Sequence, residues 1–495
     1  MSRLAPRTGA VGEDEPARDP RAINGKDNTG RPTRDERQGM SDKGDTEIRT
    51  QSKRVALDPD KLADIVRFLL AEAKRLGADQ AEAGASHDIG LSVTARLGDV
   101  ENLEYTNDRG VGVTIYRKQR KGSASTSDFN EAALREAVEK ACSFAMYTAE
   151  DPYAGLADAS LMAKDPPDLD LSHVWALDSE EAIRLAVSCE DAARSFDRRI
   201  SNSEGATVAT SAGARAYGNS HGFVGGYRKT SHSISCVVVG EADGEMERDY
   251  HYSAARDAAD LEAIESIGET AARRTVARLG SRKIKTVKAP VLLAPEVARG
   301  FIGHAIGAVS GGAQYRRSSF LLDAVGQRVF PDFFRIEERP HLPKGLASAA
   351  FDAEGVATRD RDLVVDGVLQ GYILGSYSAR RLGLTTTGNA GGAHNLVVPG
   401  TDGGLDALVR SMSRGLLVHE LIGQGVNMVT GDYSRGAVGF WVENGEIAYP
   451  VSEVTIAGNL KDLYRQIAAV GSDQDLRGGI RCGSLLVEGM TVAGA

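Results

Sequence analysis

Cysteine is scarce in this 495-residue chain: four residues, Cys142, Cys189, Cys236 and Cys482, stand far apart and form no Cys-x-x-Cys pair. No disulfide is needed to explain anything, and there is neither a secretory apolar core nor a run of about 18 apolar residues. The expected compartment is therefore the reducing cytoplasm, with no membrane partner. An excess of basic residues is also missing. The 59 Lys and Arg against 69 Asp and Glu leave a net charge of -10, which argues against direct nucleic-acid contact, since phosphates need a concentrated basic surface. The cluster Arg117, Lys118, Arg120 and Lys121 is the local exception. It lies between two strand-like runs and ends at Gly122, so it reads as a solvated hairpin tip rather than a phosphate site.

Familiar catalytic signatures are absent too. No GxSxG nucleophile elbow, GxxxxGK[ST] phosphate loop or strand-linked GxGxxG occurs. None of the nine histidines has another three or four residues away. A metal site would thus have to be assembled from distant elements, with His304, His419, Glu420 and Cys482 as candidates. What is plentiful is glycine, at 56 residues, much of it in the C-terminal half, where it points to tight turns and β-rich architecture.

Length suggests two or three domains. Residues 1–53 carry almost no large apolar side chains and read as a disordered extension or an over-long gene start. Asp58 and Pro59 cap an amphipathic helix bearing Leu62, Ile65, Val66, Leu69, Ala73 and Leu76, with Gly77 as its stop. β-like runs follow to Ser127, and a second helix opens at Asp128 with Glu131 in capping-box spacing. This makes 54–152 an α+β subdomain. Residues 153–174 form a Pro- and Asp-rich linker, and 153–285 a second α+β subdomain whose first helix starts at Asp178 and Glu181. From 286 to 495 the chain reads as a β-rich, barrel-like domain carrying a few helices. One of these starts at Pro295, and others lie near Leu405 and Leu460. The fold class is α+β, with N-terminal helices packed on mainly antiparallel sheets.

The stretch GLLVHELIGQGVNMVTGDYSRGAVGFWVENG, 415–445, holds the only His-Glu pair, His419 and Glu420. It reads as a short helix entering a glycine-rich run. A zinc-peptidase helix would need a second histidine one turn on, and Gly423 and Gln424 stand there instead. Asp432, Ser434 and Arg435 in GDYSRG form a turn that could line a cleft.

Together, GQGVN, TGDYSRG, FWVENG, the upstream FDAEGVATRDRDLVVDGVLQGYILGSYSARRLGLTTTGNA, the final IRCGSLLVEGMTVAG and the N-terminal RGVGVTIYRKQRKGSASTS resemble the TldD/PmbA family, more narrowly its PmbA (TldE) branch. The resemblance spans roughly Val55 to Ala495. It implies a heterodimeric zinc peptidase whose TldD-type subunit carries HExxxH on a helix early in the C-terminal domain, with a cysteine near the C-terminus as a further ligand. In this chain the corresponding helix is the one after Pro295, and the motif's first His, Glu and second His fall on Gly303, His304 and Ala308. Cys482 is the one residue near the C-terminus to set against the ligand cysteine.

The resemblance therefore implies a subunit with no catalytic residue or cofactor of its own, inactive alone. Zinc is expected in a TldD-type partner. The substrates would be unfolded peptides, such as peptide-antibiotic precursors and antitoxins. Gln424, Asn427, Asp432, Ser434 and Arg435 become cleft or interface candidates. Two other readings stay open: a self-sufficient homodimeric peptidase with a divergent metal site, and a non-enzymatic adaptor modulating DNA gyrase.

Overall fold

The carboxylate of Asp58 accepts the Asp60 N–H at 3.0 Å, and Pro59 supplies the first residue of helix α1, Pro59–Arg75. The computed structural model describes residues 56–494 apart from Leu57 and Asp402, so the segment 1–53 lies outside the described residues. Strands β1 (Gln80–Arg96), β2 (Asp99–Arg117) and β3 (Arg120–Thr126) follow as successive antiparallel hairpins. The basic cluster forms the β2–β3 turn, with Lys118 and Gln119 both at positive φ. That geometry suits the right-handed twist of a two-residue hairpin. Helix α2 (Glu131–Tyr147) starts later than the Asp128 spacing suggests. Its cap is Asn130, which accepts the Ala133 N–H at 2.8 Å, while Asp128 accepts the Asn130 N–H.

Asp178 caps helix α3 (Ser179–Phe196) through the Glu181 N–H at 2.8 Å. Strands β4 (Ile200–Asn219), β5 (Val224–Ala242) and β6 (Glu245–Ala255) and helix α4 (Ile264–Arg278) complete this half. The strand order β3-β2-β1-β4-β5-β6 makes one antiparallel sheet. Its seam is the β1–β4 pairing, Glu82–Ala95 against Asn219–Ala206. Side chains alternate across the pleat. Ala81, Ala83 and Ala85 therefore pack under α1 and α2, and Leu91, Val93 and Ala95 farther along the same strand pack under α3 and α4. Each buried Leu or Val contributes roughly 1.5–3 kcal/mol. The opposite face carries Gly84, Ser86, Arg215, Tyr217 and Lys229, and the four helices α1 to α4 all pack on the other side.

The C-terminal part begins with β7 (Val287–Leu293), followed by α5 (Pro295–Ala308) and α6 (Gly311–Tyr315). A small sheet in the order β10-β9-β8-β11-β16 uses β8 (Ile336–Glu338), β9 (Arg361–Val365), β10 (Val368–Leu369), β11 (Leu396–Val397) and β16 (Ile480–Arg481). Helices α7 (Ser376–Leu382), α8 (Leu405–Ser411) and α9 (Leu460–Arg465) are short. The larger sheet is built from β12 (Arg414–Ile422), β13 (Asp432–Glu443), β14 (Glu446–Asn459), β15 (Ile467–Val470), β17 (Leu485–Ala493) and β7. Its order β14-β13-β12-β7-β17 closes when β17 pairs back onto β14, Thr455–Ala457 against Ala493–Thr491. The result is a five-stranded barrel, as the β-rich pattern predicts.

The helix expected at His419 is a strand. β12 runs parallel to β7 through Leu416–Val418 and antiparallel to β13, with a bulge at His419 between Val418 and Glu420. At Gly439 an added Cβ would lie 1.8 Å from the Leu417 carbonyl oxygen, so β12 and β13 approach this closely only over a glycine. Helix α5 lies on the barrel core. Phe301 packs against Tyr464 and Tyr433, with ring centroids 5.0 and 5.7 Å apart, and the Tyr464 hydroxyl donates to the Phe301 carbonyl at 3.0 Å. Among the described residues no helix is long and apolar enough to cross a membrane.

Candidate functional site

Helix α5 leaves the end of β7 with Glu296 in its first turn, where a carboxylate suits the helix dipole. Glu296 is reached from two elements. The Arg274 guanidinium of α4 donates to it at 2.6 Å, and the His419 ring on the β12 bulge comes within 3.9 Å, too far for a hydrogen bond. Burial pushes this carboxyl up, but His419 and Arg274 outweigh it and hold the group well below the usual carboxylate range. Next to it, Arg278 joins Asp249 and Glu247 of β6 at 3.3 Å each and Glu420 of β12 at 2.8 Å. Arg299 of α5 and Arg477 both reach Asp475, at 3.2 and 2.9 Å, and both also hold Tyr252 of β6. His419 and Glu420 therefore belong to an ion-pair junction between the six-stranded sheet and the barrel.

The remaining metal candidates are placed apart from this pair. His304 lies edge-on to Tyr433, with centroids 6.0 Å apart, and its Nε2 is buried without a partner among the described residues. Burial and the nearby Arg435 charge keep its imidazole below its ordinary pKa. The Cys482 thiol is fully buried, donates to the Gly483 carbonyl at 3.2 Å, and is pushed up by burial and by Asp473. A thiol so placed is a poor source of thiolate.

Zinc held by α5 would need imidazoles at 303 and 308. Gly303 offers no side chain, and Ala308 is fully buried in the barrel core. Among the described residues no group of three or more His, Cys, Asp or Glu side chains is disposed to hold a metal ion. The residues present do not fit a catalytic zinc, which takes three protein ligands and an open position.

The glycine-rich segment after β12 forms a hydrogen-bonded loop. Asn427 Oδ1 accepts the Val429 N–H at 2.9 Å, and the Asp432 carboxylate accepts from Thr430 Oγ1 at 2.6 Å and Asn459 Nδ2 at 3.1 Å. These two bonds hold the Asp432 carboxyl below its ordinary value. Ser434 N–H donates to the Gly425 carbonyl at 2.7 Å. Gln424, Asn427, Asp432 and Ser434 are exposed, and Arg435 is half-buried with Nη2 on the Leu421 carbonyl. Gln424 and Asn427 lie in this loop, whereas Asp432, Ser434 and Arg435, expected in a turn, are the opening residues of strand β13, paired with Asn459, Ala457 and Ile456 of β14.

Sequence reasoning did not single out Arg274, Arg278 or Glu296. The i, i+4 spacing of the two arginines on a helix was the available signal, but their carboxylate partners come from distant strands. It also passed over a cavity of about 640 Å³ between the helix-free face of the sheet and the loops at 346–353 and 390–394. Its lining includes Arg215, Lys229 and Arg256.

Models of domain 1, the central domain and the C-terminal domain of PmbA/TldA metallopeptidases match residues 81–145, 172–279 and 286–494. Metalloprotease PmbA of Escherichia coli O157:H7 is 51% identical over 417 residues, covering 84% of this chain and 93% of that protein. The Haemophilus influenzae PmbA homologue is 48% identical over 435 residues, covering 88% and 96%. The TldD homologue of the same species is 23% identical over 419 residues, covering 80% and 85%. Among solved structures, a candidate modulator of DNA gyrase from Bacteroides thetaiotaomicron superposes with a TM-score of 0.83 at 28% identity, covering 87% of this chain and 98% of that one. TldE from Thermococcus kodakarensis gives 0.77 at 21% identity, covering 87% and 100%, a likeness of fold.

Proposed function

The chain belongs to the PmbA/TldD metallopeptidase family, and on that premise we propose that it is the zinc-free subunit of a two-paralogue metalloprotease acting on unfolded peptides in the cytoplasm. The observation that carries this reading is α5. Where the zinc-bearing paralogue is expected to have HExxxH, this chain has Gly303, His304 and Ala308. His304 packs on Tyr433 and Ala308 on the barrel core. Haemophilus influenzae has both a PmbA homologue and a TldD homologue, and this chain is far more similar to the first. That asymmetry supports a division of labour in which the partner holds the metal and its activated water.

This chain's own contribution is then shape and contact. The boundaries near 152 and 285 separate functional regions on this reading, with 286–495 as wall and interface. The loop carrying Gln424 and Asn427, with Asp432, Ser434 and Arg435 at the start of β13, borders the cleft or the partner. The edge strands β3 and β6 present backbone groups to which an extended peptide could add without sequence demands.

The purified chain should contain no stoichiometric zinc by metal analysis and cleave no unfolded peptide. Adding a TldD-type paralogue should produce both zinc content and cleavage in the complex. Equal cleavage by the chain alone would sink the reading.

A further inference from the structure

The cavity on the helix-free face of the sheet has an unbalanced charge. Arg215 on β4 has Asp88 at 3.7 Å. Lys229 on β5 is half-buried and, among the described residues, has no carboxylate or hydrogen-bond partner. Burial, and then the positive charges of Arg215 and Arg256, hold its ammonium below the ordinary lysine range, with Asp88 opposing. Arg256 is only 7% exposed. Its Nη1 and Nη2 donate to the Thr230 and Leu346 carbonyls at 2.8 and 2.7 Å, its Nε has no partner, and no carboxylate pairs with it among the described residues.

Asp352, the one carboxylate in the lining among the described residues, does not balance these cations. Its oxygens accept the backbone N–H groups of Glu354, Val356 and Ala390 at 2.9–3.0 Å. Buried charges are normally paired, because an isolated one loses its hydration. A buried arginine with a free N–H, beside an unpaired lysine in a cavity, marks a place for an anion.

The rest of the lining selects the kind of anion. Gly84, Gly110 and Gly112 leave the floor without side chains, while Leu171 and Phe351 supply apolar wall. About 640 Å³ is in the range of ligand cavities. Such a slot suits an extended chain lying flat on the sheet with one charged end. We propose that the cavity lined by Arg215, Lys229 and Arg256 holds a carboxylate of the peptide substrate, either the chain terminus or an acidic side chain. This rests on the reading of the protein as a peptide-handling subunit.

The test uses the intact chain and three labelled hexapeptides of otherwise neutral sequence, followed by fluorescence anisotropy. One ends in a free carboxylate, one in a carboxamide, and one in a carboxamide with a single internal Glu. At least one charged form should bind about tenfold more tightly than the neutral one, as charge-assisted hydrogen bonds are the strong ones. A preference confined to the first form assigns the terminal carboxylate; one confined to the third assigns the side chain. The preference should fall below about threefold in Lys229→Met and, independently, in the more exposed Arg215→Met. Equal binding of all three peptides, a preference that survives both substitutions, or no binding of any form up to millimolar concentration would each overturn the proposal. Partner-dependent cleavage, measured separately, decides the subunit reading, so either idea can fail while the other stands.

Discussion

Burial pushes the Asp352 carboxyl up to about 6, against three backbone N–H donors that favour its charged form. Its ordinary value is 3.8, so the folded protein binds this proton more tightly than the unfolded chain does. The associated stability is fully present below pH 3.8 and is lost as pH rises towards about 6. The span of about two pH units is worth roughly 3 kcal/mol at most. In Asp352→Asn that dependence should vanish, so the wild-type Tm minus the variant Tm should shrink between pH 4 and about 6.5; a constant difference would contradict the assignment. At α5 the contrast between two positions is steric. A Cβ at Gly303 would meet only Ile480 Cδ1 at 3.7 Å, whereas Ala308 is fully buried. Ala308→His should therefore cost about 1–3 kcal/mol by overpacking, with Gly303→His milder, as read from urea midpoints. Single residues were legible where their chemistry is local. Asp58 with Pro59, and Asp178 with Glu181, announce helix starts, and both helices begin there. His419 and Glu420 were not legible, because their partners Glu296 and Arg278 come from residues more than a hundred positions away.

Among elements, β12 shows why a local pattern misleads. Read alone, a Leu-Leu-Val-His-Glu-Leu-Ile run fits a short helix as well as a strand. Its state is decided by β7 on one side and β13 on the other, and that pairing joins segments far apart in sequence. The bulge at His419 turns the ring towards Glu296 while Glu420 reaches Arg278, so one strand serves both arms of the junction. Helix α5 was legible because Pro295 and a regular apolar spacing are local signals. The barrel itself was legible only as glycine-rich, strand-like runs; its closure through β14 and β17 depends on contacts no local pattern encodes. Gly439→Ala tests the close approach of β12 and β13. The added Cβ would fall 1.8 Å from the Leu417 carbonyl oxygen, which is backbone and cannot rotate away. The expected loss is about 1–3 kcal/mol, seen as a lower urea midpoint with an unchanged slope. An unchanged midpoint would mean the strands can part here without cost.

Across the molecule, the sheet and the barrel meet through charge. Arg274 and Arg278 on α4, with Asp249 and Glu247 on β6, face Glu296 on α5 and Glu420 on β12. Removing one partner of a buried ion pair typically costs about 3–5 kcal/mol, because the other charge is left without compensation. Here two arginines serve four carboxylates, so their joint loss leaves like charges facing each other across the junction. The depressed Glu296 carboxyl gives this contact a pH signature. Its contribution is present above its ordinary value of 4.5 and is lost only as pH falls through a folded value well below that. The junction should therefore hold through mild acid. The sheet's two hydrophobic cores, one under α1 and α2 and one under α3 and α4, are separate from the barrel core around α5, so sheet and barrel can melt separately once uncoupled. The double variant Arg274→Met/Arg278→Met should accordingly show two calorimetric transitions at neutral pH where the parent chain shows one. Lowering the pH towards 4.5 should bring the variant's two transitions closer, as the stranded carboxylates take up protons. A single transition that merely shifts to lower temperature would show that apolar contact, and not this ionic junction, makes the two parts unfold together.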